Sequence, residues 1–281
     1  MNRFFLGLLG VAVAASVSLA CGRGPIIYSV FQRILYSEVT VLGTITAVEK
    51  DEIEIPNPQP TIPPLSFRVA VVRVEQAIGG AKNVTHVKVL FSGEQLCPGQ
   101  EVCLFLNRHA TQTGYFTATP QAPWLDRANP RDRATWTALD TVLPAVSDPV
   151  AALKSGDDNE RFRAAAYLTL RYRKTVAGVS ADKYDTEPVS ADESQLILKA
   201  LADVDWDRAT DGVNHWEAYH AIGLKQENGG FPNCDVVTDG KLMPLHFPGG
   251  RNDLRSAYQK WLAERGATYQ IQKLIPKTDL K

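Results

Sequence analysis

The period of the apolar residues changes once along the chain, and that change constrains the fold more than any other feature. Up to about residue 120 apolar side chains recur at every second position; after Pro130 they recur at every third or fourth. The first pattern is that of a strand with one buried face, the second that of an amphipathic helix. In the first part, Val39, Val41, Ile45 and Ala47 share one face, and Thr40, Thr44 and Thr46 share the other. Gly43 interrupts this run where a bulge or sharp bend would be natural. The Pro-rich stretch IPNPQPTIPP, residues 55–64, lacks the backbone donors a ladder needs and reads as a surface loop.

Four further stretches read as strands: FRVAVVRVEQAI (67–78), THVKVLF (85–91), EVCLFLN (101–107) and GYFTATP (114–120). In the second of these, Val87, Val89 and Phe91 alternate with His86, Lys88 and Leu90. The third is apolar on both faces, as a central strand should be. About five short, evenly spaced strands over residues 21–125 favour a closed barrel or a sandwich over an α/β layout.

The second part predicts helices. In DPVAALKS, Asp148 is placed to cap and Pro149 to occupy the first helical position. DNERFRAAAYLTLRYRK aligns Phe162, Ala165, Ala166 and Leu170. SADESQLILKALADVDW opens with Ser190 and Glu193 at capping-box spacing and aligns Ile197, Ala200, Leu201 and Val204. NDLRSAYQKWLAERG aligns Leu254, Ala257, Tyr258, Trp261 and Leu262, with Gly266 placed to end it. Between them, TVAGVSADKYDTEPV and NGGFPNCDVVTDGKLMPLHFPGG carry enough Gly and Pro to read as long loops without regular elements. The expected fold class is therefore α+β, with this strand domain followed by an all-α helical domain over residues 126–281.

Residues 1–20 have the layout of a secretory signal: Arg3, then an apolar run from Phe4 to Ala20, with Ser18 and Ala20 at the small-residue positions of a cleavage site. Export would make Cys21 the first mature residue. Four cysteines, Cys21, Cys97, Cys103 and Cys234, then suggest two disulfides, for which three connectivities exist. A local Cys97–Cys103 bridge and a bridge from Cys21 onto the barrel both remain open. The expected location is secreted or extracytoplasmic; a lipid anchor on Cys21 is the alternative, although Leu19 stands one position away from where lipoprotein signals place their aliphatic residue.

The cleaved signal, a first mature cysteine, SEVTVLGTITAVE, FRVAVVRVEQAIGGAKNVTHVKVLF and CPGQEVCLFL follow the order of strands and cysteines in the OB-barrel shared by tissue inhibitors of metalloproteinases and netrin modules. Over residues 21–120 the chain resembles that family. The resemblance implies that residues 21–125 form an antiparallel, five-stranded OB-like β-barrel with its N-terminus clamped by a disulfide. In the inhibitors the terminal amine and carbonyl chelate a protease's zinc, helped by a Cys-x-Cys start; here Gly22 and Arg23 follow Cys21, so only the first position matches.

One cluster has residue types suited to chemistry, NHWEAYH, in which Glu217 and His220 lie at i, i+3 and would share a helical face. Di-metal bundles pair such a motif with a second copy, and none occurs; His215, five residues from His220, does not complete a His-Glu-x-x-His zinc arrangement. His86 and His109 read as surface residues. No nucleophile elbow, phosphate loop or dinucleotide fingerprint is present, so no cofactor and no resident metal is expected.

Without residues 1–20 the chain carries 29 basic against 31 acidic residues, a balance that calls for neither nucleic acid nor an anionic membrane as partner. The function expected is a non-enzymatic binding module for another protein or an extracellular ligand, with the Pro-rich loop as a contact. The alternatives are a metal-assisted hydrolase centred on Glu217 and His220, and a metalloprotease inhibitor acting through Cys21.

Overall fold

A computed structural model describes residues 28–57, 63–78, 84–92, 96–118, 124–175, 180–206, 218–219, 221–224, 237–238, 241–242 and 250–277. The chain enters through a short helix, α1 (Val30–Tyr36), that the strand-dominated pattern did not announce. Its start is fixed by a reciprocal cap: Gln32 N donates to Ser29 Oγ at 3.2 Å, and Ser29 N donates to Gln32 Oε1 at 3.1 Å. Val30, Phe31, Ile34 and Leu35 are buried.

Seven strands follow: β1 (Val39–Val48), β2 (Ile53–Ile55), β3 (Leu65–Ile78), β4 (His86–Phe91), β5 (Glu101–Arg108), β6 (Tyr115–Ala118) and β7 (Trp124–Asp126). They form one sheet in which the pairings β1–β3, β3–β4, β4–β6, β6–β5 and β5–β1 run in a cycle. The expectation of antiparallel pairing fails at one place, since β4 and β6 run parallel. Lys88 and Tyr115 stand opposite each other in that pair, and the connection between the two strands passes through β5. β2 pairs only with the start of β3, and the Pro-rich stretch connects the two strands; β2 takes in Ile55, the first residue of that stretch.

Gly43 does sit at an irregularity. Leu42 pairs with Gln76 and Gly43 with Val74, so β3 gains one residue, Glu75, at this point. A Cβ on Gly43 would lie 2.2 Å from the Arg73 carbonyl oxygen. Glycine is required here because the two backbones nearly touch.

Among the described residues the helical part carries α2 (Arg133–Ser147), α3 (Pro149–Ala152), α4 (Asp158–Tyr172), α5 (Ala191–Asp203) and α6 (Gly250–Arg265). Asp148 caps α3 as its position foretold, its carboxylate accepting from Ala151 N at 3.1 Å. Only half of the capping box at α5 forms: Glu193 N donates to Ser190 Oγ at 3.3 Å, while the Glu193 carboxylate accepts from the Tyr172 hydroxyl instead. The side chain that would have closed the box thereby ties α5 to the end of α4.

The second part is not all-α. β8 (Tyr184–Pro188) pairs with β11 (Gln272–Pro276), and β9 (Val237–Thr238) with β10 (Lys241–Leu242), inside or beside stretches that composition marked as loops. A two-stranded ribbon consists of edges, and an edge tolerates proline at its ends, as at Pro188 and Pro276. The ribbon is anchored beneath: Val189 N donates to Ile271 O at 2.8 Å, Ile271 N to Ser194 Oγ at 3.1 Å, and both aliphatic side chains are buried.

The core explains why β5 is apolar on both faces. Val102, Leu104 and Leu106 pack inside the sheet with Val41, Ile45, Val72 and Val89. Cys103 and Phe105 point the other way, into a second cluster with α1, Leu125 and the buried residues of α2, α4 and α5. Strand and helix parts therefore share one continuous hydrophobic cluster across the boundary expected near residue 126.

Cations seal this junction. Lys174 Nζ donates to Leu35 O at 2.9 Å and Ser37 O at 3.0 Å, and Arg171 donates to Ser37 O at 2.9 Å. These carbonyls lie at the C-terminal end of α1, where the helix dipole favours positive charge. Burial, and then the neighbouring Arg171, push the Lys174 ammonium down to about 8, against a smaller opposing pull from Glu38. The group's folded value lies below its unfolded value of 10.5, so between those limits the unfolded chain binds more protons and stability rises with pH. Melting temperatures of wild type and Lys174→Met from pH 7 to 10.5 are expected to diverge in favour of wild type as pH rises through this window. A difference that stays constant with pH would show that Lys174 carries no perturbed proton.

Candidate functional site

One surface combines exposed apolar area with fixed charges: the outward face of β3, β4 and β6. Val71 of β3, Lys88 of β4 and Tyr115 of β6 form a row in register across the three strands. Strand alternation sends their neighbours Ala70, Val72, Val87 and Val89 into the interior, so this row must face out. Beside it, Ile55, Val69 and Leu90 form a small apolar cluster packed by half-buried Ile53, Phe67 and Tyr115. The β2–β3 hairpin covers one end of the cluster and leaves Leu65 exposed at its rim.

Two ion pairs frame the patch. Lys88 Nζ lies 2.9 Å from Glu49 Oε1 and 5.8 Å from the centre of the Tyr115 ring, a cation–π distance. The hydrogen bond from Lys88 to Glu49 holds its ammonium above the ordinary lysine range. On the other side, Glu75 accepts from Thr44 Oγ1 at 2.7 Å and from Arg73 at 3.2 Å; the Thr44 bond first, and Arg73 second, hold its carboxyl low. The Glu75 that creates the irregularity opposite Gly43 is thus the same residue that fixes this rim.

The arrangement suits contact. Its charges are already paired, and the uncharged side chains beside Lys88 are aliphatic and aromatic, a composition that rewards burial against a partner. Among the described residues no group of three or more His, Cys, Asp and Glu side chains could hold a metal ion. No described helix is long and apolar enough to cross a membrane.

The residues singled out from sequence fall in two groups. Cys21, Cys234, His215, Glu217 and His220 lie outside the described residues. Cys97 and Cys103 are described and are not bonded to each other: Cys97 is exposed in the turn before β5, and Cys103 is buried on its helix-facing side. Burial pushes the Cys103 thiol well above its ordinary range despite the nearby Arg33, which leaves it protonated and unreactive. His86 is exposed. His109 organises the β5–β6 turn, its Nδ1 accepting from Thr111 N at 3.3 Å and Gln112 N at 3.1 Å.

The row of Val71, Lys88 and Tyr115 was not identified from sequence. Each strand displays its outward positions, but nothing in the local pattern brings Tyr115 beside Lys88, because that depends on the one parallel pairing in the sheet. The chain matches no protein-family model, no curated protein and no solved structure.

Proposed function

We propose that the chain is an exported, non-enzymatic binding protein whose strand part is an OB-like barrel and whose β3–β4–β6 face and β2–β3 hairpin contact another protein or an extracellular ligand. The observation that carries this reading is the cyclic order β1-β3-β4-β6-β5 with its parallel β4–β6 pair, bearing on the outside the Val71–Lys88–Tyr115 row and the adjoining Ile55–Val69–Leu90 cluster. Five strands closed in Greek-key order are the arrangement of an OB barrel, and such barrels bind through one open face and the adjoining loops. The helical part supports the opposite side of the barrel through Phe105 and α1.

The resemblance to the netrin and metalloproteinase-inhibitor modules adds a clamp on the mature N-terminus. Cys97, exposed, and Cys103, buried, are the two described thiols that a bridge from Cys21 could take as partner.

Full-length protein expressed in its source cells and recovered from the extracytoplasmic fraction tests the proposal. Its intact mass is expected to lack residues 1–20. Tyr115→Ala, and separately replacement of residues 56–64 by a Gly-Ser linker of equal length, are expected to weaken capture of its co-purifying partner by roughly tenfold or more, with the native circular dichroism spectrum retained. Retention of the same partner at unchanged affinity by both variants would refute the assignment of this face.

A further inference from the structure

The helical part holds a second surface, independent of the strand face. An open cleft of about 690 Å³ runs between α5 and α6. One wall is a single stripe of α5, with Asp192, Gln195, Leu196, Lys199, Ala202 and Asp203 recurring at helical spacing. The other is Gln259, Leu262 and Ala263 of α6, and Lys154 closes one end from the turn after α3. The volume lies in the range of ligand-binding clefts.

The charges of this cleft are arranged by position. Asp203 is compensated internally, with Lys199 Nζ at 2.9 Å and Arg161 at 4.0 Å. Lys154 and Asp192 are both exposed and form no ion pair with a described residue. Arg161 also donates to Ser155 O at 2.8 Å, which places Lys154, the preceding residue, at the Asp203 end of the cleft. Asp192 is at the other end, about 16 Å away along the helix axis at 1.5 Å per residue. The cleft therefore has at one end a cation and at the other an anion, in the first turn of α5, neither with an ion-pair partner among the described residues.

Between them lie half-buried Leu196 and Leu262 and two amides held in place by the backbone. Gln195 Nε2 donates to Gly266 O, and Gln259 Nε2 donates to Ala202 O at 2.9 Å. With their nitrogens engaged, both amides are left with a carbonyl oxygen that accepts from no described residue. Backbone N–H groups of an extended chain are the donors such acceptors fit, and an extended chain advances about 3.3 Å per residue, so about five residues span the cleft.

We infer that the α5–α6 cleft binds an extended peptide segment of about five residues, with an acidic side chain at the Lys154 end, a basic side chain at the Asp192 end and apolar side chains on Leu196 and Leu262. Opposite charges at the two ends disfavour polyanions and polycations alike. The carrying feature is separation of the two unpaired charges across an apolar floor.

Fluorescein-labelled, end-blocked pentapeptides test this on the full chain by anisotropy at low salt: Glu-Leu-Ala-Leu-Lys and its versions with two terminal Glu or two terminal Lys. The mixed peptide is expected to bind wild type about fivefold more tightly than either like-charged version, as exposed charge pairs allow. Lys154→Glu is expected to make the di-lysine peptide the tightest, and Asp192→Lys the di-glutamate peptide. Both side chains are exposed, so both variants fold. Equal binding of all three peptides, a ranking unmoved by the two variants, or no binding to wild type at millimolar peptide would overturn the inference.

Discussion

Gly43→Ala is expected to destabilise the protein by about 3 kcal/mol, at the upper end of what overpacking costs. The added methyl would sit 2.2 Å from the Arg73 carbonyl oxygen and 3.1 Å from Val72 Cγ1, and the nearer of these is backbone that no rotamer change can move. β1 cannot retreat, because it is held by β3 on one side and by β5 on the other. The strain must therefore open one of two ladders. Urea denaturation measures the loss, and a change under about 0.5 kcal/mol would mean that the two backbones are not in the contact described.

Phe105→Ala is expected to cost about 3–5 kcal/mol, the range for removing a buried aromatic ring. Phe105 is wholly buried on the helix-facing side of β5, with the Arg33 guanidinium 5.8 Å from its ring centre. It belongs to the cluster that unites the strand part with α1, α2, α4 and α5. The loss should consequently appear in one transition, with helix ellipticity and tryptophan fluorescence shifting together. If the helices melted at their wild-type midpoint while the rest unfolded earlier, the shared core would not be a cooperative unit. Leu104→Ala, directed into the sheet interior, is expected to lower the same transition through the other cluster.

Features set by neighbours in the chain were legible in the sequence. The alternation of Val87, Val89 and Phe91, the two apolar faces of β5, the Asp148 cap and the bend at Gly43 each depend on a few consecutive residues, and each stands where the pattern put it. α1 was missed because seven residues span only two turns, and buried Val30, Phe31, Ile34 and Leu35 leave too short a polar face to reveal a helical period. α2 carries Pro144 in its interior, a residue that argues against a helix locally and is overridden by burial of Trp136, Leu139, Val142 and Val146. Nothing local marks β8 as a strand, because its partner β11 lies more than 80 residues further on.

The candidate face was less legible than the fold for a related reason. Lys88 and Tyr115 come together only through the parallel pairing of β4 with β6, and Glu75 meets Thr44 only through the register shift between β3 and β1. The capping box at α5 shows the same limit: spacing identified Ser190 and Glu193, but the competing Tyr172 hydroxyl arrives from another helix.

The cyclic pairing of the sheet bears on how the protein behaves at high concentration. Every strand of the cycle has hydrogen-bonded neighbours on both flanks, so among the described residues unsatisfied strand backbone is concentrated in the short outliers β2 and β7 and in the small ribbons. A second molecule seeking to extend the sheet finds there only a few donors and acceptors, some interrupted by proline, too little for a growing fibril to template upon.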